Sequence, residues 1–390
     1  MTIQRIVAFF QHMPPYSGAA ALRGKSIMQE LAKLAEVRVA EISVYTSIPS
    51  PLPIAGVQVL TLGTPEVENS LSLKRRLLGE LHMGWVAARC LFAKHPRPDL
   101  AVISSPGYIA ALVMGAVARW YRIPYVLEMR DIYPQVYAEA ELIRRESLLY
   151  RFFAKRSRKL YRGARLVIAA TQGLASEVRK DVPEANVNCV YNGFPGELMS
   201  RAPVKHERFT VCFHGVLGFF QDVATLLKVA ERLLPHGVDV VVIGYGRKEE
   251  PLEKTTLSNV RFLGRQPFDE TIKQVERCHL GLCLRLDDNI SKDAFPVKVW
   301  EYMGLGIPSV ITPPCEAGDF VAEHGCGLVH ESGDVDAIVS TILALKAKPA
   351  RIDKLSASCR IVASRYTREQ TGLAAAQLIA QAAAETLAAS

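Results

Sequence analysis

Short apolar segments alternate with helix-like segments along the whole chain, and this alternation restricts the fold more than any other feature. Strand, helix and strand in succession is the pattern of parallel sheets covered by helices on both faces. The strands predicted in the first half are 5–10, 36–45, 99–105, 124–130, 165–171 and 187–192, and those predicted in the second half are 209–215, 238–244, 259–264, 279–284 and 307–311.

A polar stretch, SRAPVKHER at 200–208, separates the two strand series. The chain is therefore predicted to be α/β, with two Rossmann-like domains, 1–200 and 201–366, whose parallel sheets face each other across a cleft. The alanine-rich tail, about 367–390, is expected to form a helix that packs back on the first domain. Further helices are predicted at 19–35, 72–95, 107–121, 146–162, 173–180 and 222–234.

Cysteine usage and hydropathy favour a cytoplasmic protein. The eight cysteines are scattered without a CxxC pair, so we interpret them as small core residues in a reducing compartment and not as zinc ligands. The N-terminus has a strand pattern and does not resemble a signal peptide. The longest apolar run, 109–118, is far shorter than the ~20 residues of a membrane span, which predicts a soluble or peripheral protein.

Positive charge is concentrated in the first half. Residues 1–190 contain 25 Lys and Arg against 15 Asp and Glu, whereas the remainder contains 22 against 24. An anionic membrane surface is the predicted partner, because the nine basic residues of 141–165 alternate with Leu, Phe and Tyr, and KRR at 74–76 lies among leucines. Packing of 141–165 on the sheet is the competing interpretation of its apolar face. No nucleic-acid-binding motif accompanies the charge.

Two loops of the first half are candidate sites because they follow predicted strands. In FFQHMPPYSGAAALR, Gly18 and Ala19 open a helix whose N-terminus favours anions, and His12 and Arg23 could add contacts. An ordinary strand-to-helix turn is the alternative. In LEMRDIYPQ, Asp131 is a candidate base or hydroxyl acceptor beside Arg130. The alternative is that Asp131 caps a turn and pairs with Arg130.

Glycine turns follow two strands of the second half. FHGVLGFFQD carries Gly215 and Gly218 and leads into a helix that begins near Asp222, which is a turn compatible with phosphate binding. IGYGRKEE repeats the arrangement with Gly244. Each motif is weak when taken alone.

The segment DAFPVKVWEYMGLGIPSVI, 293–311, reads as a loop, a short helix and a buried strand. Pro296 suits the first turn of that helix, and Lys298 and Glu301 are three residues apart, which puts them on one face. The helix N-terminus with Lys298 could receive a diphosphate, and the carboxylate of Glu301 could accept both hydroxyls of a ribose. The alternative is a surface ion pair that contributes less than ~1 kcal/mol.

FPVKVWEYMGLGIPSVI closely resembles the donor-sugar motif of the family-4 retaining glycosyltransferases, which have the GT-B fold. PPYSGAAALR resembles their first glycine loop, and LEMRDIYP is similar to the version in bacterial enzymes that build surface polysaccharides. TQGLASEV, VYNGF and HGVLGFFQD follow in the family's order, so the resemblance covers nearly the whole chain.

The resemblance implies roles for individual residues. Glu301 corresponds to the glutamate that contacts the ribose, and Asp293 stands, one methylene shorter, where many members have a glutamate for the sugar. Val216 and Gln221 stand where many members have Arg and Lys. The diphosphate is therefore expected to rely on Lys298. The expected donor-binding set is Asp293, Phe295, Pro296, Val297, Lys298, Glu301, Gly215, Gly218, Gln221, Gly244 and Arg285; the acceptor-binding set is His12, Gly18, Ala19 and Arg23; the catalytic set is Arg130, Asp131 and Lys298.

The reaction implied is sugar transfer, with anomeric retention, from a nucleotide-diphosphate sugar, UDP favoured, to an acceptor hydroxyl, with no metal and no cofactor. A lipid-linked saccharide on the inner face of the cytoplasmic membrane would suit the basic first half. A non-hydrolysing nucleotide-sugar epimerase shares the fold and stays an alternative, as does a non-catalytic nucleotide-sugar-binding protein.

Overall fold

The chain forms two compact units, seen in a computed structural model that describes residues 2–16, 18–34, 38–64, 73–93, 97–105 and 107–389. One unit contains the described residues up to Asn192 together with the tail from Arg368, and the other runs from Gly193 to Thr367. The boundary thus lies eight residues before the predicted one at 200/201. The reason is that the 3₁₀ turn Gly196–Ser200 packs against a helix of the second unit.

In the described part of the first unit, seven parallel strands form one sheet in the order β3-β2-β1-β4-β5-β6-β7. In β1, Val7 pairs with Ser43 on one side and with Ala101 on the other. The strands are β1 Thr2–Phe9, β2 Arg38–Thr46, β3 Gln58–Thr61, β4 Leu100–Ser104, β5 Tyr125–Met129, β6 Leu166–Ala169 and β7 Val187–Cys189.

Helices cover both faces of this sheet, because alternate residues of each strand contact opposite layers. Val7 and Phe9 join the core beneath α2, α3, α5 and α6, whereas Ile6 and Ala8 join the core beneath α1 and α15. The helices are α1 Ala19–Lys33, α2 Leu73–Ala93, α3 Tyr108–Trp120, α4 Gln135–Glu139, α5 Leu148–Gly163, α6 Gln172–Asp181 and, from the tail, α15 Arg368–Ala389, which packs against α1.

Six parallel strands form the sheet of the second unit in its described residues, in the order β10-β9-β8-β11-β12-β13. These strands are β8 Thr210–His214, β9 Asp239–Ile243, β10 Val260–Phe262, β11 Leu280–Leu284, β12 Ser309–Thr312 and β13 Gly327–Val329. The helices are α7 Val223–Leu233, α8 Glu250–Glu253, α9 Phe268–Val275, α10 Asn289–Lys292, α11 Val297–Gly304, α12 Glu316–Glu323, α13 Val335–Lys346 and α14 Pro349–Ala363.

The predicted α/β architecture with two parallel sheets is confirmed. Every predicted strand appears within a few residues of its expected bounds, but β3 and β13 were not predicted. The predicted ends of strand 36–45 and helix 72–95 include positions outside the described residues. All eight cysteines are free thiols, and Cys90 and Cys189 are only partly buried. Among the described helices, none combines the length and the apolar character that crossing a bilayer requires.

Candidate nucleotide-sugar site

The turn after β8 is held rigidly at the carboxyl edge of the second sheet. Gly215 adopts a left-handed φ of +116°, and a β-carbon on Gly244 would lie 2.0 Å from its carbonyl oxygen, so the two turns approach as only glycine permits. The Lys248 ammonium donates hydrogen bonds to the carbonyls of Phe219 and Gln221 at 2.8 and 2.7 Å. This fixed backbone carries the predicted residues Gly215, Gly218 and Gln221.

Lys298 is buried at the start of α11, with only 8% of its surface exposed. Its ammonium donates a hydrogen bond to Gln221 Oε1 at 3.1 Å and lies 3.9 Å from the centre of the Phe213 ring. In the described part of the chain, no carboxylate lies within salt-bridge distance of its Nζ. Burial, with a contribution from Arg285, lowers the pKa of Lys298 to about 8. The result is a buried cation whose charge the protein does not neutralise directly.

Glu301 lies one turn further along α11 and is also buried. His214, the last residue of β8, places Nε2 3.6 Å from Glu301 Oε2, and its ring meets Tyr302 edge-on. Burial, helped by Lys298, lowers the pKa of His214 to about 3, so the imidazole is neutral. Its buried Nε2 has no hydrogen-bond partner among the described residues. A neutral ring nitrogen of this kind can orient the carboxylate without cancelling its charge.

The other residues predicted to bind the donor lie on or near α11. Arg285 is buried near Lys298 and donates to Ser291 Oγ at 3.0 Å. Phe295 stacks on Trp300 with ring centres 4.2 Å apart, so its side chain belongs to an aromatic core and supports α11 from below. Pro296 is the N-cap of α11 and not its first helical residue, which is Val297. Asp293 is half-buried in the segment just before them.

The first glycine loop leads into α1 as predicted, and its glycine lies against an aromatic ring. Gly18 is the N-cap of α1, where no side chain caps the helix, and Ala19 is half-buried beside it. A β-carbon at Gly18 would lie 2.4 Å from the Tyr16 ring, so glycine is needed for close packing. The His12 ring stacks on Tyr16 at 4.5 Å.

Arg23, which is predicted to bind the acceptor, is held by several contacts inside the first unit. It is buried inside the first unit, where Nε forms an ion pair with Glu128 Oε1 at 2.7 Å. Its Nη1 donates to the carbonyls of Val190 and Tyr191, and Ser104 donates to the other Glu128 oxygen at 2.6 Å. This network joins α1 to the central strands, which is a structural role.

Asp131 follows β5 as predicted, and the charge of Arg130 acts on its carboxyl group. Its surroundings raise the pKa of the carboxyl, chiefly by burial and secondly through Glu128, against opposing contributions from Arg130 and Arg76. The Arg130 backbone amide donates to Ser105 Oγ at 3.3 Å. A carboxylate with a raised pKa near a strand end is typical of functional positions.

Within the second unit the structure brings Gly215, Gln221, Gly244, Arg285, Lys298 and Glu301 to one edge of the sheet. Sequence analysis did not single out His214, Phe213 or Lys248. His214 ends an apolar strand next to a glycine turn, and a polar residue at that point was a detectable sign of a functional position. Phe213 had no such sign, because a strand phenylalanine is ordinarily core.

Two family models match the chain, one for each half. Residues 18–193 match the glycosyl transferase 4-like domain, and residues 197–375 match the glycosyl transferases group 1 model. Each half of the chain thus matches a glycosyltransferase domain model. No curated protein matches the sequence.

Solved structures share the fold over nearly the full length of the chain. HepE from Anabaena in complex with UDP and glucose is 18% identical with a TM-score of 0.64, covering 99% of this chain and 100% of its own. Sucrose-phosphate synthase from Thermosynechococcus elongatus is 15% identical with a TM-score of 0.74 and the same coverage. WaaG, a glycosyltransferase involved in lipopolysaccharide biosynthesis, is 15% identical with a TM-score of 0.69, covering 96% of this chain and 99% of its own. The predicted GT-B fold is thereby confirmed.

Proposed function

We propose that this glycosyltransferase moves a hexosyl or N-acetylhexosaminyl group from a nucleotide-diphosphate sugar, with UDP favoured, to a hydroxyl of a lipid-linked saccharide. The observation that carries the proposal is Lys298, a buried ammonium with a neutral amide and an aromatic ring as its neighbours. A buried charge without a counter-ion is costly, so its retention is best explained by an anionic ligand. UDP is favoured because HepE, a neighbour in fold, was solved with UDP.

The second unit is the proposed donor site. The ammonium of Lys298 and the amides at the start of α11 would stabilise the departing diphosphate, where developing charge is greatest, without a metal. Glu301 would accept the ribose hydroxyls, with the neutral His214 ring beside its carboxylate. Retention of the anomeric configuration would follow if the leaving phosphate itself takes the proton of the acceptor hydroxyl on the same face of the sugar.

The first unit is the proposed acceptor site, with Asp131 orienting the sugar or the acceptor and the loop at His12 and Gly18 bordering it. A lipid-linked acceptor would lie on the cytoplasmic face of the membrane, where the basic first unit meets anionic lipid. Assembly of a bacterial surface polysaccharide or lipopolysaccharide is the process that such an acceptor implies.

Thermal stabilisation by UDP, GDP and ADP tests the donor site directly. A ligand at 100 times its Kd stabilises the folded state by about 2.7 kcal/mol. We expect the shift with UDP, its loss in Lys298→Met and Glu301→Gln, and its preservation in Lys354→Met, an exposed lysine of α14. No shift with any nucleotide would overturn the proposal.

A second assay follows the sugar. Wild-type protein given a UDP-sugar and membrane lipid extract should form a lipid-linked product whose anomeric configuration, read by NMR, equals that of the donor. If the protein converted the UDP-sugar to an epimer in the absence of acceptor, the epimerase would be the correct function and the transferase proposal would be wrong. Binding without any turnover in all extracts would leave a non-catalytic binding protein.

A further inference from the structure

The three basic residues at the start of α2 do not share one environment. Lys74 and Arg75 are exposed, whereas the Arg76 side chain is only 19% exposed. Arg76 Nε forms an ion pair with Glu80 Oε1 at 3.1 Å, one turn further along the helix. Glu80 is itself buried, and its other oxygen accepts a hydrogen bond from the Ile109 amide at 2.9 Å. Glu80 therefore joins α2 to the start of α3 and fixes the Arg76 guanidinium in one place.

The Arg76 guanidinium lies over an aromatic cluster. Its central carbon is 5.5 Å from the centre of the Tyr137 ring. The Tyr137 ring meets Tyr133 edge-on at 5.0 Å, and Tyr133 stacks on Tyr108 at 4.6 Å. Because the face of a tyrosine ring attracts a cation, Arg76 is held by this ring as well as by its carboxylate partner.

The same cluster fixes the loop that carries Asp131. Tyr133 follows Asp131 by two residues, and its carbonyl accepts a hydrogen bond from Ser157 of α5 at 2.8 Å. The Ser157 hydroxyl also bonds the Tyr108 hydroxyl at 2.9 Å. The loop cannot leave α2 and α5 without breaking these buried contacts, so Asp131 stays within range of the Arg76 charge.

The charges that act on Asp131 come from three elements. Arg130 lies next to it on the loop, Glu128 lies on β5 and Arg76 lies on α2. Burial raises the pKa of the Asp131 carboxyl, Arg130 opposes this rise, Glu128 adds to it and Arg76 opposes it. Burial also raises the pKa of the neighbouring Tyr133 phenol, which therefore stays neutral. Two cations thus favour the ionised form of a carboxyl group that burial disfavours.

These two cations differ in what their nitrogens contact. Arg130 Nε is buried without a hydrogen-bond partner among the described residues, so this guanidinium has a donor to offer to a ligand. Arg76 Nε, in contrast, donates to Glu80 inside the protein. The arrangement suits Arg130 to a direct contact with substrate and Arg76 to an action through Asp131.

We propose that Arg76 is a positioning residue, which keeps the Asp131 side chain ionised and directed at the acceptor hydroxyl. An ionised carboxylate can only accept hydrogen bonds, so it orients a hydroxyl in one way, whereas a protonated carboxyl can also donate. The inference rests on the proposed function in giving Asp131 the acceptor hydroxyl. It goes further by assigning a role in transfer to a residue of α2 that acts without touching the substrate.

Titration of Asp131 in the ligand-free full chain tests the inference without any substrate. Carboxyl-labelled aspartate is followed by NMR, and the Asp131 signal is the one that disappears in Asp131→Asn. In Arg76→Met the midpoint of this titration should lie at higher pH than in the wild type, because a cation that favours the carboxylate is gone. Arg76→Lys keeps the charge and should titrate as the wild type does. Arg89→Met, which removes an exposed cation of the same helix, is the matched control and should also leave the midpoint unchanged.

A second variant protects the test against misfolding. Arg76→Met leaves Glu80 as a buried carboxylate without its counter-ion, which destabilises the first unit. The double variant Arg76→Met, Glu80→Gln removes both charges and retains an oxygen for the Ile109 amide, so it should melt near the wild-type temperature. Its Asp131 midpoint should still lie at higher pH than in the wild type, because Arg76 is the member of the pair whose charge acts on Asp131.

Transfer kinetics with a detergent-dispersed acceptor give the second readout. The double variant should have a kcat/KM for the acceptor about tenfold lower at pH 7, because a misplaced orienting group costs this much or more. The acid limb of its pH profile should move to higher pH, and the KM for the UDP-sugar should stay constant. Arg76→Lys should recover most of the loss. A purely structural role would instead lower kcat/KM by the same factor at every pH and leave the acid limb in place.

An unchanged Asp131 midpoint in both Met variants would overturn the inference, even if the wild type transferred sugar normally. An equal upward shift in Arg89→Met would also overturn it, because the effect would then belong to net charge and not to the place of Arg76. A wild type that transferred no sugar, with the Asp131 midpoint shifted as expected, would leave the action of Arg76 standing and refute only the proposed function. The two failures are therefore distinguishable.

Discussion

Arg23 and Lys298 are buried cations in corresponding positions, each on the helix that follows a loop at the carboxyl edge of a sheet, and their surroundings are opposite. Arg23 has a carboxylate at 2.7 Å and two carbonyls as acceptors. Lys298 has one amide oxygen at 3.1 Å and an aromatic ring. The first unit neutralises its buried charge internally, and the second unit provides no carboxylate at salt-bridge distance among its described residues.

The comparison teaches that the counter-ion, more than the burial, separates a structural cation from a binding cation. A paired buried charge holds elements together, and removing one partner strands the other. A buried charge without a carboxylate is destabilising in the empty protein and becomes favourable only when an anion arrives. The two residues should therefore respond oppositely to the same substitution.

Arg23→Met is the change with the largest expected effect on stability. It leaves Glu128 as a buried carboxylate without its counter-ion, which costs about 3–5 kcal/mol. The melting temperature should fall by roughly 10 °C for a unit of this size. Arg165→Met removes an exposed pair with Glu385 that contributes about 1 kcal/mol or less, so it should lower the melting temperature by no more than about 2–4 °C.

A double-mutant cycle sharpens this prediction. The double variant Arg23→Met, Glu128→Leu should lose far less free energy of unfolding than the two single variants lose together. The reason is that the cost in each single variant comes from the buried partner that is left unpaired. If Arg23→Met instead left the melting temperature unchanged and weakened acceptor binding, Arg23 would be an acceptor-binding residue and not a structural one.

Lys298→Met should have the reverse profile. We expect turnover to fall by about 10²–10³-fold, the usual loss when one preorganised donor to developing charge is removed. The melting temperature without ligand should stay constant or rise, because an uncompensated charge is replaced by an apolar chain of similar length. A large loss of stability in this variant would mean that Lys298 is structural, and the contrast with Arg23 would disappear.

These two residues also show how far the sequence alone can lead. The strand–helix alternation predicted the parallel sheets, because buried strands are recognisable from their own residues. β3 and β13 were missed because they are short edge strands of half-exposed or glycine-containing sequence. The partner of Arg23 is Glu128, 105 residues away, and no local pattern connects them. No local pattern connects His214 with Glu301 either. Lys298 and Glu301, in contrast, were found because they share one helical turn.

Donor affinity should depend on pH through Lys298. Its pKa of about 8 means that the ammonium, which binds the diphosphate, is lost as pH rises through 8. The Kd for a UDP-sugar, measured by calorimetry, should rise about tenfold between pH 7 and pH 9 in the wild type, and the much weaker binding of Lys298→Met should show no such rise. His214, whose pKa is about 3, does not titrate in this range.

The free energy of unfolding of the ligand-free protein should instead rise with pH between about 8 and 10.5. The folded pKa of Lys298 is lowered below its unfolded value of 10.5, so between pH 8 and 10.5 the unfolded chain binds more protons than the folded chain. The contribution of this group to the free energy of unfolding therefore rises with pH. Affinity and apo stability that fell together in the wild type but not in Lys298→Met would contradict this account.

The smallest expected effect belongs to His214, which contacts Glu301 and is not assigned to the ligand itself. His214→Phe keeps the buried ring against Tyr302 and removes the nitrogen that faces the carboxylate. Losing a polar neighbour of a buried charge should raise the KM for the donor about fivefold to tenfold with little change in kcat. His236→Phe, at an exposed position, serves as the control. A fall in kcat with an unchanged KM would instead assign His214 to the reacting groups, because an interaction made only in the transition state lowers kcat and leaves ground-state binding as it was.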